Sequence, residues 1–236
     1  TRSREDLFAF ASPLWNALSL TPCYLSAQYR QEDAVFLELL SAVRCGAVLP
    51  SHRALLESRF LGTQTLKKGV TQLFSHNVDV DRVNEEELKK IPGKELIFEM
   101  TSRGPKSPVA ELKRGCLSPE TLTVKIGARV MFTKNNFDEG FVNGTTGVIS
   151  GFSKESGYPI IEVRNGERII AEPMDWSIEE GGHVLARITQ VPLRLAWAIT
   201  IHKSQGMSLD TAHIDLSNAF EYGQGYVALS RVRTLE

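Results

Sequence analysis

The sequence predicts an α/β domain interrupted by a small all-β insert. Three observations point to it. Apolar residues recur with a helical period between about residues 32 and 91, switch to a period of two from about Leu117, and return to mixed helix and strand signals after Leu185. With 236 residues the chain can form one large domain or two small ones, and a chain of this length buries about 70% of its unfolded surface.

The elements follow in order. The opening run Phe8-Ala9-Phe10-Ala11-Ser12-Pro13-Leu14-Trp15 is apolar and is expected to stop at Pro13, as the tail of an element that starts earlier. Cys23-Tyr24-Leu25-Ser26 reads as a short strand. Phe36, Leu39, Leu40 and Val43 fall at helical spacing, with Glu32 and Asp33 at the start and Gly46 beyond the end. Ser51 is a candidate cap for a second helix reaching about Phe60. A third spans Val80 to Ile91, with Glu85–Lys89 and Glu86–Lys90 pairs on a solvated face and Pro92-Gly93 as its stop.

From Leu117 onward, Leu122, Val124 and Ile126 alternate with Thr123 and Lys125, and Val130 and Phe132 continue the pattern. Gly144, Gly147 and Gly151 punctuate a strand around Val148-Ile149. Residues 160–164 and 167–170 flank Asn165-Gly166, a two-residue hairpin signal. Short strands with close turns suggest a small barrel. Beyond it, Leu193-Arg194-Leu195 leads into Ala196–Gln205, which is expected to be helical and to end at Gly206. A buried strand over Ala212–Leu216 and a last helix from about Gln224 complete the pass.

Composition narrows the function. Hydrophobic residues at 42% and charged residues at 23% are globular proportions and exclude a disordered chain. The 27 basic and 28 acidic residues leave a net charge of −1, so any nucleic-acid contact has to be local rather than a charged blanket. Three scattered cysteines, Cys23, Cys45 and Cys116, argue against a disulfide framework and against a zinc site, and no metal ligands are expected. No apolar run approaches roughly 18 residues, so no membrane partner is expected. The sequence starts at Thr1 rather than Met and is expected to be a piece of a longer protein.

Three segments carry chemistry: Gln28-Tyr29-Arg30-Gln31, Ala196–Gly206 with its Thr200-Ile201-His202-Lys203-Ser204-Gln205-Gly206 core, and Gly223-Gln224-Gly225-Tyr226-Val227-Ala228-Leu229-Ser230-Arg231. In this order they resemble motifs four, five and six of superfamily-one helicases, and their spelling is similar to the Pif (petite integration frequency) family. Thr71–Asn77 with Asn84, Gly127–Asn135 with Val142–Gly147, and Phe8–Trp15 extend the resemblance over nearly the whole chain.

The resemblance implies a RecA-like second motor domain over residues 21–118 and 188–236, a Src-homology-like barrel inserted at 119–187, and a remnant of the first motor domain at 1–20. It implies the C-terminal half of an ATP-dependent DNA helicase that moves 5′-to-3′ on single-stranded DNA and opens forked duplex. Roles in DNA replication, repair, recombination and telomere maintenance come with it. Arg30 and Arg231 take the part of arginines that reach ATP. Fixed guanidinium groups neutralise the charge that develops in phosphoryl transfer, whereas the plainer reading has Arg30 capping a helix and Arg231 pairing with a surface acid. Gln31, Gln205 and Gly206 would touch the nucleotide. Thr200, His202 and Lys203 would contact DNA, with Lys134, Asn135 and Asn143 on barrel loops, although turn chemistry explains Asn143-Gly144 equally well. Trp197 has apolar flanks that favour core packing over base stacking.

A phosphate-binding G-x-x-x-x-G-K-[ST] loop does not occur in the sequence, and no acidic Mg²⁺-binding strand end is recognisable. ATP and Mg²⁺ would therefore be held mainly by the N-terminal motor domain of the same protein, and this chain alone is expected not to hydrolyse ATP. Gly223-x-Gly225-x-x-Ala228 fits a dinucleotide fingerprint only loosely, with no ribose-binding acid about 20 residues on. The expected protein is monomeric, and cytoplasmic if bacterial or nuclear or mitochondrial if eukaryotic. The competing functions are a RecD-like helicase subunit and a non-catalytic single-strand-binding module.

Overall fold

The computed structural model describes residues 8–24, 31–61 and 69–235. Arg30, with Gln28 and Tyr29 of the same motif and Leu25-Ser26 of the strand-like run, lies outside the described residues. The chain divides into a unit ending at Arg30 and a larger one from Gln31. In the first, a 3-10 turn at Ala9–Ala11 precedes α1 (Pro13–Ala17). Pro13 therefore starts a helix instead of stopping one. Its fixed φ and missing N–H suit the first helical position, and Ser12 caps the Leu14 N–H.

In the second unit, Asp33 caps α2 (Ala34–Cys45) by accepting from the Val35 and Phe36 N–H groups, and Gly46 closes it at φ 68°. α3 (Pro50–Glu57) begins at a proline rather than at a Ser51 cap, and the His52 ring takes the Leu49 N–H instead. After β1 (Thr71–Phe74), α4 (Asn77–Lys90) carries the expected Glu85–Lys89 pair. Its second expected pair is re-sorted: Lys90 reaches Glu87, and Glu86 reaches Arg82.

Next come β2 (Leu96–Glu99), β3 (Thr101–Arg103), α5 (Lys106–Gly115), β4 (Thr121–Val124), β5 (Arg129–Phe132), β6 (Thr146–Phe152), β7 (Pro159–Val163), β8 (Arg168–Ile170), β9 (Met174–Glu180) and β10 (His183–Gln190). Then follow β11 (Leu193–Leu195), β12 (Ala198–Thr200), β13 (Ala212–Ile214) and α6 (Gln224–Leu229). Among the described residues no single helix is long and apolar enough to cross a membrane.

Two cores organise these elements. A parallel sheet in the order β12-β1-β13 holds Leu73 and Ile199, which pack with Phe36, Leu39 and Leu40 of α2 and Ala228 of α6. A five-stranded antiparallel sheet in the order β11-β5-β6-β7-β8 encloses Leu122, Val130, Phe132, Ile149 and Ile161. Strand β5 belongs to both. Alternation along it sends Val130 and Phe132 into the β core and Met131 into the α/β core, all fully buried. The β-rich part also recruits strands from before residue 119 and after 187, since β2 pairs with β4, β3 with β10, and β11 with β5.

Three local expectations need correction. Ile126 is exposed, because the strand ends at Val124 and Lys125–Gly127 turns. The Asn165-Gly166 hairpin forms, but only Gly166 has positive φ, and the Val163 N–H reaches the Glu167 carbonyl. It is thus a three-residue loop closed by a left-handed glycine and not a primed two-residue turn. Ala196–Gln205 is strand β12 followed by a tight turn rather than a helix. Residues 198–201 are buried on every side, and such a run has no periodicity to separate a central parallel strand from a helix.

β12 lies at the sheet edge, and Asn84 of α4 supplies the missing neighbour. Its side-chain amide donates to the Ala198 carbonyl and accepts the Ala198 N–H, both at 3.0 Å. Substituting Asn84→Leu strands two buried backbone groups, each worth about 1–3 kcal/mol when unpaired. The expected loss is about 2–4 kcal/mol in denaturant unfolding. A loss below about 0.5 kcal/mol would show that β12 does not depend on this pairing.

Candidate nucleotide and nucleic-acid site

The candidate site is built at the C-terminal ends of the parallel strands. Phe74 and Thr200 are register partners, and the Ile201 N–H continues the ladder to the Phe74 carbonyl. The chain then turns tightly: Ser204 N–H bonds back to Thr200 and Ile201, Gln205 to His202, and Met207 to Ser204. Gly206 takes φ 79°, a conformation that costs an L-residue about 1–2 kcal/mol, and none of the described residues lies within 4 Å of where a Cβ would be. Backbone at Gly206 is therefore open to close approach by a ligand.

Each expected site residue other than Arg30 has a definite place. The Thr200 side chain is buried, and its hydroxyl accepts the Lys203 N–H at 3.3 Å, which braces the turn. His202 and Gln205 point to solvent, and His202 Nε2 meets the Glu221 carboxylate at 3.1 Å. Lys203 is half-buried. Desolvation lowers its pKa, Arg194 lowers it further, and Asp81 opposes both. Gln31 is buried, and its amide donates to the Ser230 and Val232 carbonyls at 3.0 and 3.1 Å.

Arg231 is buried too. Its Nε donates to the Val227 carbonyl at 2.8 Å, Nη1 to the Ser204 and Met207 carbonyls at 3.4 and 3.5 Å, and Nη2 to the Ser230 hydroxyl at 2.7 Å. The last residue of the first motif is thus hydrogen-bonded to the third motif, and the third to the second.

Of the loop residues in the β-rich part, Lys134 donates to the Asp175 carbonyl and lies 4.9 Å from the Trp176 ring centroid. Asn135 accepts the Asn143 N–H at 2.7 Å, while the buried Asn143 Oδ1 has no hydrogen-bond partner among the described residues. Asn135, Asn143 and Gly206 line one cleft of about 1040 Å³ between the β6 and β7 loops and residues 206–211. Thr200, His202, Lys203, Gln205 and Lys134 lie outside its lining. Trp197 packs between Phe74, Val80 and Val83 and the β core, as its apolar flanks suggested.

Sequence reasoning passed over Arg129, which lines the cleft and whose burial lowers its pKa. Its Nη2 donates to the Thr71 hydroxyl at 3.4 Å, and its buried Nε has no hydrogen-bond partner among the described residues. A lone arginine opening an otherwise apolar strand was the available signal. Among the described residues no cluster of His, Cys, Asp or Glu could hold a metal ion.

A parallel sheet with an open turn at its strand ends, interrupted by an antiparallel β domain, has the architecture of a RecA-like motor domain with a β insert. Comparison with known proteins gives the family. No family model matches the chain. It is 37% identical over 292 residues to the ATP-dependent DNA helicase Pif1 of Psychrobacter sp., covering 99% of this chain and 44% of that protein. It is also 37% identical over 242 residues to human ATP-dependent DNA helicase PIF1, covering 99% of this chain and 37% of that protein.

Among solved structures, unliganded Pif1 from Bacteroides sp. superposes with TM-score 0.75 at 28% identity, over 89% of this chain and 49% of that one. The Bacteroides helicase in complex with ADP-AlF3 and single-stranded DNA gives 0.60 at 29%, over 90% and 50%. The chain belongs to the Pif1 helicase family, and spans about two-fifths of the length of these curated relatives.

The half-buried ammonium of Lys203 generates a prediction. A lysine whose folded pKa is lowered binds its proton more tightly when unfolded, so stability is reduced at neutral pH and recovers as pH rises toward 10.5. Lys203→Met is expected to raise the unfolding midpoint at pH 7 and to shrink that recovery. An unchanged or lower midpoint would mean that Asp81 fully offsets the burial.

Proposed function

We propose that this chain is the C-terminal motor portion of an ATP-dependent DNA helicase that translocates on single-stranded DNA 5′-to-3′ and opens forked duplex. One observation carries the reading. Three motif segments far apart in sequence are tied together by buried side-chain bonds, with Gln31 joined to Ser230 and Val232, and Arg231 to Ser204 and Met207. The relatives' own names and their complexes with single-stranded DNA support the same activity.

In this reading the motor half comes from residues 21–118 and 188–236 except β2, β3 and α5, which go with the β insert nominally at 119–187, and residues 1–20 belong to the first motor domain. ATP and Mg²⁺ are held mainly by the N-terminal motor domain of the same monomer. Gly206 offers open backbone, Gln205 an exposed amide and Gln31 the remainder of its amide. Arg231, together with Arg30, supplies positive charge beside the phosphates. His202, Lys203 and the Thr200 turn face DNA, and Lys134, Asn135 and Asn143 border it from the insert. The chain's contribution is electrostatic and positional: a guanidinium fixed before the reaction stabilises developing charge without reorganising.

The test is Arg231→Lys in the full-length enzyme. Lysine keeps the charge but loses the fork of donors that fixes it in place. The expected result is a fall in kcat of about a hundredfold, with single-strand affinity within a few fold of wild type. Normal turnover in a folded variant would remove Arg231 from the catalytic set.

A further inference from the structure

Beside the nucleotide-facing turn, His202 belongs to a cluster of side chains whose other members have no part in the reading so far. His76 and His202 leave the sheet side by side, two residues past the register partners Phe74 and Thr200. Phe220, from the loop between β13 and α6, packs against both. Its ring centroid lies 4.9 Å from His76 with 23° between the planes, and 6.0 Å from His202 with 37° between them. The same loop pins both imidazoles, His76 Nε2 at 3.1 Å from the Asn218 carbonyl and His202 Nε2 at 3.1 Å from the Glu221 carboxylate. Despite this bracing, Phe220 remains 57% exposed, and Tyr222 two residues on is fully exposed.

Charge decides what such a surface takes. Residues 212–224 contain Asp215 and Glu221 and no lysine or arginine. Lys203 shares its surroundings with Arg194 and Asp81. The Glu221 carboxylate already engages one nitrogen of His202. A phosphate would meet the Glu221 carboxylate here, whereas an uncharged aromatic face meets fixed rings with their orientation already set. Pre-ordered aromatic surfaces are what single-strand binders offer to unstacked bases, whatever the sequence.

We propose that His76, Phe220 and His202 form a nucleobase-stacking platform for single-stranded DNA, with Tyr222 as a second stacking face. The inference rests on the helicase reading, and it makes His202 a base contact through its ring rather than a phosphate contact. The bases bound here are those of the strand being tracked, and stacking is indifferent to their identity.

The experiment uses the full-length enzyme, an oligothymidylate, and a strand of equal length carrying abasic sites. Wild type is expected to bind the abasic strand about tenfold more weakly, the scale of one or two stacked bases. Phe220→Leu keeps apolar bulk but removes the ring, and Tyr222→Ala alters a side chain that supports nothing in the fold. Either variant is expected to lose most of the discrimination while the dependence of affinity on salt stays unchanged, because phosphate contacts are untouched. Should Phe220→Leu fail to fold, Tyr222→Ala decides. Wild-type discrimination in the folded variants, or none in wild type, overturns the platform alone. A wild-type enzyme that binds no single strand overturns the helicase reading and the platform together.

Discussion

The functional end of this domain depends on buried side chains that bond backbone groups left over by the sheet and the turn. Arg231 is the centre of that arrangement. One guanidinium joins the last turn of α6, through Val227, to the carbonyls of Ser204 and Met207. Both residues are buried; the Ser204 carbonyl also accepts the Met207 N–H, so the Met207 carbonyl is the one that leans on Arg231, and an unpaired buried carbonyl costs about 1–3 kcal/mol. Gln31 performs the same service for the carbonyls of Ser230 and Val232, and Asn84 for both groups of Ala198. Three elements that diverge in sequence are thereby held at one end of a short parallel sheet.

Such a design makes binding residues hard to separate from structural ones. Thr200 braces the turn with its hydroxyl, and Asn135 fixes the loop at Asn143. Lys203 and Arg129 are held with depressed pKa values by burial, an energetic cost that a purely structural protein would be free to shed. The cleft beside Gly206 gathers side chains from the β insert and from the motor sheet, so the insert borders the same space as the open turn. Strand β5, facing a different core on each side, joins the two parts mechanically.

Much of this was legible in the sequence because local chemistry and global fold agree. Asp33 and Gly46 bound α2 where capping rules place them, and the alternation of Leu122, Val124, Val130 and Phe132 matches the β core. Legibility failed where tertiary context overrides local pattern. Residues 198–201 are enclosed on all faces, so no period distinguished the strand from a helix. Asn165 follows the loop length instead of the dipeptide preference, and Pro13 begins an element where it was expected to end one. For the site, motif spelling singled out residues 196–206 and Arg231, but expected a helix where the chain turns and did not reveal the partners of either. Arg129, Asn84's pairing with Ala198, and the clustering of His76 with Phe220 depend on contacts between distant segments.

The central claim, that Arg231 ties α6 to the turn after β12, is tested most directly by native-state hydrogen exchange on wild type and Arg231→Lys. The account predicts that the Ser204, Met207 and Leu209 amides lose protection together in the variant, while those of β5 and β6 keep theirs. Equal protection of the turn in both proteins would contradict it.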